Sequence, residues 1–259
     1  MKLLLLILAL NFSLLSAEEE DFHYPQITLS MIVKNEEHRY LKRVLESAKE
    51  YISCAVIIDD GSSDNTPQVC QEILGDIPLT LIINQTSTFS NEVVLRAQLW
   101  AETIKTNPEW ILVLDADEIF EDKFKDYIHT LLSNTRANAI YFRLFDFWNE
   151  SHYREDYYWK AHLVYRPFLI RYLPDIDYKW KETSLHCGRF PLNINDFSYE
   201  CSDLRLKHYG WSNPIDRKNK YSRYLSSDPE GKYGWLEQYE SILDENPNLI
   251  EWNESQPSF

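Results

Sequence analysis

Four short apolar runs, each followed by a segment with helical spacing, constrain this chain more than any other feature. They are Ile27-Thr28-Leu29-Ser30-Met31-Ile32-Val33, Ala55-Val56-Ile57-Ile58, Leu79 to Ile83, and Ile111-Leu112-Val113-Leu114. Strands that are apolar on both faces and alternate with helices belong in a buried parallel sheet, which predicts an α/β fold with a mostly parallel central sheet flanked by helices. The first helix is expected near Glu36–Ile52, with Leu41, Leu45, Ala48 and Ile52 on one face. The second opens after Asn65-Thr66-Pro67, where proline suits a first helical position. The third is expected to be capped by Ser90, with Val93, Ala97, Trp100, Ala101 and Ile104 inward.

After about residue 137 the pattern changes to long aromatic alternating runs, Asn138–Trp148 and Ala161–Tyr172, with a further strand at Leu204–Trp211. These predict additional C-terminal strands, antiparallel in part. Helices near Pro214–Ser226 and Trp235–Leu243 follow, and the acidic tail is expected to fray. No repeat or flexible linker divides the chain, so residues 26–245 read as one domain.

Composition excludes several classes. With 41 Asp and Glu against 26 Lys and Arg, the net charge is −15, the wrong sign for a nucleic-acid partner. Only 6 glycines are present, and neither GxGxxG nor GxxxxGK[ST] occurs, which removes the dinucleotide fingerprint and the P-loop. Hydrophobic residues at 44% and aromatics at 14% exclude a disordered chain. The stretch Met1–Ala17 is a leader with one Lys, an apolar run and a small-residue step before Glu18-Glu19-Glu20, the layout of a signal peptide. It favours a secretory route, with the chain in the ER or Golgi lumen or associated with a membrane, over the cytoplasm. Cys54, Cys70, Cys187 and Cys201 show no CxxC spacing and therefore no zinc site; an oxidising compartment would permit bridges, and buried free thiols are the other reading. Sequons stand at Asn84, Asn149 and Asn253.

Ligands of an open parallel sheet bind beyond the carboxyl ends of its strands. Two acidic clusters lie at such ends, Asp59-Asp60 and Asp115-Ala116-Asp117-Glu118. Carboxylates gathered together repel unless a cation joins them, and oxygen ligands suit a divalent ion.

The segments Met31-Ile32-Val33-Lys34-Asn35-Glu36-Glu37, Ile58-Asp59-Asp60-Gly61-Ser62-Ser63-Asp64-Asn65-Thr66 and Trp110 to Glu118, in this order and spacing, resemble family-2 glycosyltransferases of the GT-A fold. His208-Tyr209-Gly210-Trp211 is similar to the HYG[YW] segment of bacterial members. The resemblance implies a nucleotide-sugar-binding half over residues 26–122 and an acceptor-binding half over 138–245. It implies an inverting transfer from a nucleotide diphosphate sugar to a carbohydrate or other hydroxyl acceptor. It assigns the donor to Asn35, Glu36, Asp59, Asp60, Arg96 and Asp115, and Mn2+ or Mg2+ to Asp117 with His208 as a further ligand. Relatives often carry Arg-Asn where Arg96 is followed here by Ala97.

Inversion needs one general base on the acceptor side. Glu182 comes first and His186 second, with Asp146, Asp175 and Asp177 as further carboxylates. Of the rings between Phe142 and Trp159 and beyond, most are expected in the core, with Trp148 or Trp180 lining the site. Two other functions fit the same scaffold. A sugar nucleotidyltransferase needs a glycine-rich phosphate loop, and Ser30–Glu37 has no glycine; a non-catalytic carbohydrate-binding protein would not need Asp59, Asp115 and Asp117 intact.

Overall fold

The computed structural model describes residues 24–183, 187–232 and 234–255. The first half alternates as the apolar runs predict: β1 Ile27–Val33, α1 Leu41–Ala48, β2 Cys54–Asp59, α2 Thr66–Leu74, β3 Leu79–Ile83, α3 Glu92–Ile104 and β4 Trp110–Val113. Then come β5 Glu118–Phe120, α4 Phe124–Asn134, β6 Ala139–Asp146, β7 His152–Arg154, β8 Tyr165–Arg171 and β9 Tyr199–His208. α5 Pro214–Ser227, α6 Leu236–Ser241 and β10 Leu249–Glu251 complete the described chain.

One sheet has the order β3-β2-β1-β4-β8-β6-β9-β5. The four strands from β3 to β4 are mutually parallel, β8 is antiparallel to both β4 and β6, and β6 runs parallel to β9. The added strands are thus only partly antiparallel.

Burial explains the pattern of the parallel strands. Ala55 and Ile57 of β2 pack with Leu41, Val44, Leu74, Phe124 and Ile128 on one side of the sheet. Val56 and Ile58 pack with Leu95 and Leu99 of α3 on the other. Fully burying one such aliphatic side chain contributes ~1.5–3 kcal/mol, which is why a two-faced apolar run commits to the centre of a sheet. At the edge, β3 is only half buried.

Three expectations change. The buried face of α3 is Leu95, Leu99, Trp100 and Thr103, while Ala101 is exposed. Its N-cap is Asn91 without a side-chain capping bond, so Ser90 does not cap it. The tail does not fray before residue 255: β10 pairs antiparallel with β7, Trp252 lies under the Arg205 guanidinium at 3.9 Å, and Glu254 accepts from Lys207 Nζ at 2.6 Å. Aromatic and ionic contacts outweigh the acidic composition there. All four cysteines are free thiols. No helix among the described residues is long and apolar enough to cross a membrane, and the leader lies outside the described residues.

Candidate active site

The carboxyl ends of β1 and β4 open onto a cleft of about 580 Å³, walled by α3 on one side and α5 on the other. Its lining includes Glu36, Arg39, Phe89, Arg96, Asp115, Asp117, His208, Trp211, Lys220 and Tyr224.

Strand register makes the centre. On β9, His208 pairs with Glu118 of β5 on one side and with Asp146 of β6 on the other. That register seats Asp117 beside His208 although 91 positions separate them in the sequence. Tyr209 N donates to Asp117 O at 2.8 Å and fixes the turn. His208 then stands between two carboxylates, with Nδ1 2.7 Å from Asp146 Oδ1 and Nε2 3.7 Å from Asp117 Oδ1. Burial disfavours the imidazolium, yet Asp117 and Asp146 together push His208 up to about 10. Burial likewise opposes ionisation of Asp117, but the neighbouring His208 and Lys220 hold its carboxyl well below the usual range.

Gly210 gives this centre its shape. A Cβ there would fall 2.5 Å from His208 Nε2, 2.5 Å from Lys220 Nζ and 2.6 Å from Asp117 Oδ2. Only glycine fits there, because one imidazole nitrogen, one carboxylate oxygen and one ammonium close over its Cα. Lys220, on α5, also lies 4.4 Å over the Trp211 ring.

Asp115 is held differently. Arg96 Nη2 donates to its Oδ1 at 3.3 Å, and Arg189 Nη2 lies 3.5 Å from Oδ2. Burial would raise the Asp115 pKa, but Arg189 and then Arg96 outweigh it and lower it. Arg189 also forks onto Glu118 with two contacts of 2.8 Å, and Glu118 in turn accepts from Asp115 N at 2.8 Å. The Nε and Nη1 of Arg96 are buried beside the cleft without a hydrogen-bond partner among the described residues.

The first acidic cluster is buried and hydrogen-bonded to the loops around it. Asp59 and Asp60 are both 0% exposed and absent from the cleft lining. Asp59 Oδ2 accepts from Ser62 N at 2.9 Å, while its Oδ1 is buried without a partner. Asp60 ties the end of β2 to the loop after β3, accepting from Thr88 N at 2.9 Å, Ser87 Oγ and Asn84 Nδ2. Gly61 permits this close approach. Its φ is +74°, and a Cβ would meet Ser87 N at 3.3 Å. Asn35, at φ 54°, accepts from Ser63 N at 2.8 Å and stitches the loop after β1 to the loop after β2. Glu36 lines the cleft itself, and burial pushes it up to about 7 despite Arg39 Nε at 3.3 Å.

Glu182 is exposed and outside the cleft lining, and His186 lies outside the described residues. Trp148 packs in a cluster with Trp159 and Trp211, and Trp180 packs against Trp100. The rings that do line the cleft are Phe89, Trp211 and Tyr224. Sequence reasoning did not single out Arg189, Lys220 or Arg39. For Arg189 a signal existed: Asp115 and Glu118 demand a buried cation, and the expected acceptor-side loop ends in Gly188-Arg189.

The model of the family described as Glycosyl transferase family 2 matches residues 28–193. The chain belongs to glycosyl transferase family 2. The match includes the Asp115–Glu118 turn and Arg189, while His208, Gly210 and Lys220 lie beyond it. A TPR repeat-containing protein of Synechococcus elongatus is 33% identical over 93 residues, 36% of this chain and 21% of that protein. The chain therefore spans about a fifth of the length of that curated relative. Among solved structures, Staphylococcus aureus TarS superposes with a TM-score of 0.54 at 13% identity, covering 84% of this chain and 42% of that one. Its fragment 1–349 gives 0.50 at 14% identity, covering 84% and 69%. At such identities the likeness is one of fold, and this family-2 chain has the mostly parallel, helix-flanked sheet of those glycosyltransferases.

Proposed function

We propose that this chain transfers a sugar from a nucleotide diphosphate sugar to a hydroxyl acceptor with inversion, using Mn2+ or Mg2+ held by Asp117 and His208. The observation that carries this reading is the pairing of Asp117 and His208 in the cleft wall, where Asp117 Oδ1 and His208 Nε2 stand 3.7 Å apart. The carboxylate suits either ion, and the imidazole would join it by releasing its Nε2 proton as the ion binds. Among the described residues no group of three or more acidic, His or Cys side chains is arranged to hold an ion. Donor diphosphate oxygens would complete the shell. When bound, the ion would supply Lewis-acid neutralisation of the leaving diphosphate, worth several kcal/mol.

The chain's own residues divide the remaining work. Asp146 orients His208 through Nδ1, the carboxylate–histidine arrangement that fixes a ligating ring. Arg96, whose Nε pairs with Glu92 at 3.6 Å and whose Nη1 has no hydrogen-bond partner among the described residues, is suited to phosphate oxygens. Asp115, braced by Arg96 and Arg189, can accept from a donor hydroxyl without turning away. Phe89 and Tyr224 give the cleft aromatic walls. The single general base of an inverting transfer is Glu182 first and His186 second in this reading, and Glu182 would have to reach the cleft from an exposed position outside its lining.

Calorimetry of UDP binding with and without Mn2+, on the full chain and on Asp117→Asn, tests the proposal. Metal-dependent UDP binding that disappears in Asp117→Asn is the expected result. UDP binding that ignores Mn2+, or survives unchanged in Asp117→Asn, overturns the metal role; no UDP or GDP binding at all overturns the transferase reading.

A further inference from the structure

Asp146 faces two ways. Through His208 it borders the cleft, and it also lines a second cavity of about 420 Å³ with Tyr158, Lys160, Arg166, Trp235 and Gln238. The charge in this second cavity is unusual for a chain of net charge −15. Two cations line it, and among the described residues neither has a carboxylate within ion-pair distance. Arg166 Nη1 donates to Ala161 O at 2.9 Å, and Lys160 Nζ lies 4.7 Å over the Tyr157 ring. Burial depresses the Arg166 pKa more than Asp146 and Glu118 restore it, as expected of an under-compensated guanidinium. The one carboxylate in the wall, Asp146, is already engaged by His208 Nδ1 at 2.7 Å.

A half-buried guanidinium and an exposed ammonium that make no ion pair with a carboxylate of the described chain are free to make charge-assisted contacts to an anionic ligand. Trp235, 60% exposed, adds a ring surface at the same cavity. A large exposed aromatic beside polar groups suits the apolar face of a sugar or polyol. Gln238 is fixed by donating to Tyr158 O at 2.9 Å, so this wall is preformed.

We propose that this cavity is the acceptor subsite and that the acceptor is a sugar or polyol bearing a phosphate or carboxylate, gripped by Arg166 and Lys160 and stacked on Trp235. The inference rests on the transferase reading above, because the Asp146–His208 pair is what joins the cavity to the donor cleft. It names the acceptor's charge class, which the transferase reading leaves open.

Binding of glucose 6-phosphate, glucuronate and neutral glucose to the full chain, measured by calorimetry at low salt, tests it. Both or either of the anionic probes should bind at least about tenfold more tightly than glucose, because each places a charge-assisted contact on the two cations. The two anionic arms distinguish a phosphate from a carboxylate as the recognised group. In Lys160→Gln and Arg166→Gln the preference should fall to threefold or less, with Mn2+-dependent UDP binding unchanged. Lys160 is exposed, so its variant carries the test even if Arg166→Gln folds poorly. Glucose binding as tightly as the better-bound anion, failure of both anions to bind, or a preference that survives Lys160→Gln overturns the proposal. Failure of UDP binding would sink the donor reading instead, and the two failures are read in separate titrations.

Discussion

Replacing Gly210 by alanine tests the centre of the site with one methyl group. The φ of Gly210 lies outside the left-handed region, so the backbone tolerates alanine and the effect comes from space alone. The new Cβ would sit 2.5 Å from His208 Nε2, 2.5 Å from Lys220 Nζ and 2.6 Å from Asp117 Oδ2, whereas ordinary contact begins at 3.4 Å. Each neighbour must retreat by on the order of 1 Å, a displacement that costs roughly 100-fold when it falls on catalytic geometry. Lys220 can swing aside on a flexible stem. His208 cannot, because Asp146 holds its Nδ1 at 2.7 Å, and Asp117 is fixed by the bond from Tyr209 N to its carbonyl. The methyl would thus displace both proposed metal ligands.

The stability cost of such overpacking is ~1–3 kcal/mol, a shift of roughly 2–4 °C in Tm per kcal/mol for a chain of this size. The variant should therefore fold, with a native far-UV spectrum, and lose about 100-fold in turnover, or ~2.7 kcal/mol of barrier. Calorimetry should show UDP binding with its Mn2+ dependence gone. Adding Lys220→Ala relieves only one of the three close approaches and should not restore it. A folded Gly210→Ala protein with the parent's Mn2+-dependent UDP affinity would refute the reasoning, since displacing Asp117 and His208 would then leave the ion undisturbed.

Asp146→Asn should lower apparent Mn2+ affinity in the presence of UDP by about 10–100-fold, the usual cost of removing a group that orients a ligating histidine; unchanged Mn2+ titrations would remove that role. Glu36, pushed up to about 7 from 4.5, binds more protons in the folded than in the unfolded chain across that interval, so its contribution to stability is lost as pH rises from 4.5 to 7. Glu36→Gln should therefore gain up to roughly 3 kcal/mol over the parent at pH 8 and almost nothing near pH 4.5, with equal gains at both pH values in urea melts counting against it. Asp60→Asn, which weakens the acceptors of Thr88 N and Ser87 Oγ, should cost roughly 2 kcal/mol of stability yet leave UDP affinity within about threefold. A stable Asp60→Asn protein unable to bind UDP would reverse this assignment.

The parallel half of the sheet was legible because continuous apolar runs have few alternatives to burial on both faces, as Val56 and Ile57 show by facing opposite sides of β2. The pairing of the C-terminal strands was not, because β6 to β9 read equally well in several orders. The observed order is set by long-range register, with β9 inserted between β6 and β5. That register is also why Asp146 could be listed only as a spare carboxylate. Its role follows from standing opposite His208 across a strand pair, which spacing along the chain does not encode. Lys220 was hidden for a related reason. α5 has no buried residue of its own, so its apolar periodicity says nothing about which face meets the cleft. The rings misled in the opposite direction: Trp148 looked like a sugar platform but spends its faces on Arg154 and Arg217 inside a tryptophan cluster.

The two acidic clusters divide their labour in a way their similar sequence positions conceal. Both end parallel strands, and both could be expected to face a ligand. Yet Asp59 and Asp60 are sealed at 0% exposure, whereas the Asp115 and Asp117 side chains keep 41% and 17% of theirs in the cleft. Charge compensation follows the same division. Asp60 is satisfied by neutral N–H and O–H donors from the loop after β3, which rigidifies the floor without adding a cation. Asp115 and Glu118 are met by the guanidinium groups of Arg96 and Arg189, bidentate for Glu118 and hard to displace. Asp117 alone is met by groups that can exchange, the His208 imidazole at 3.7 Å and the Lys220 ammonium on its flexible stem. Of the two DxD carboxylates in the cleft, Asp117 is therefore the one the proposed ion could reach without displacing an arginine.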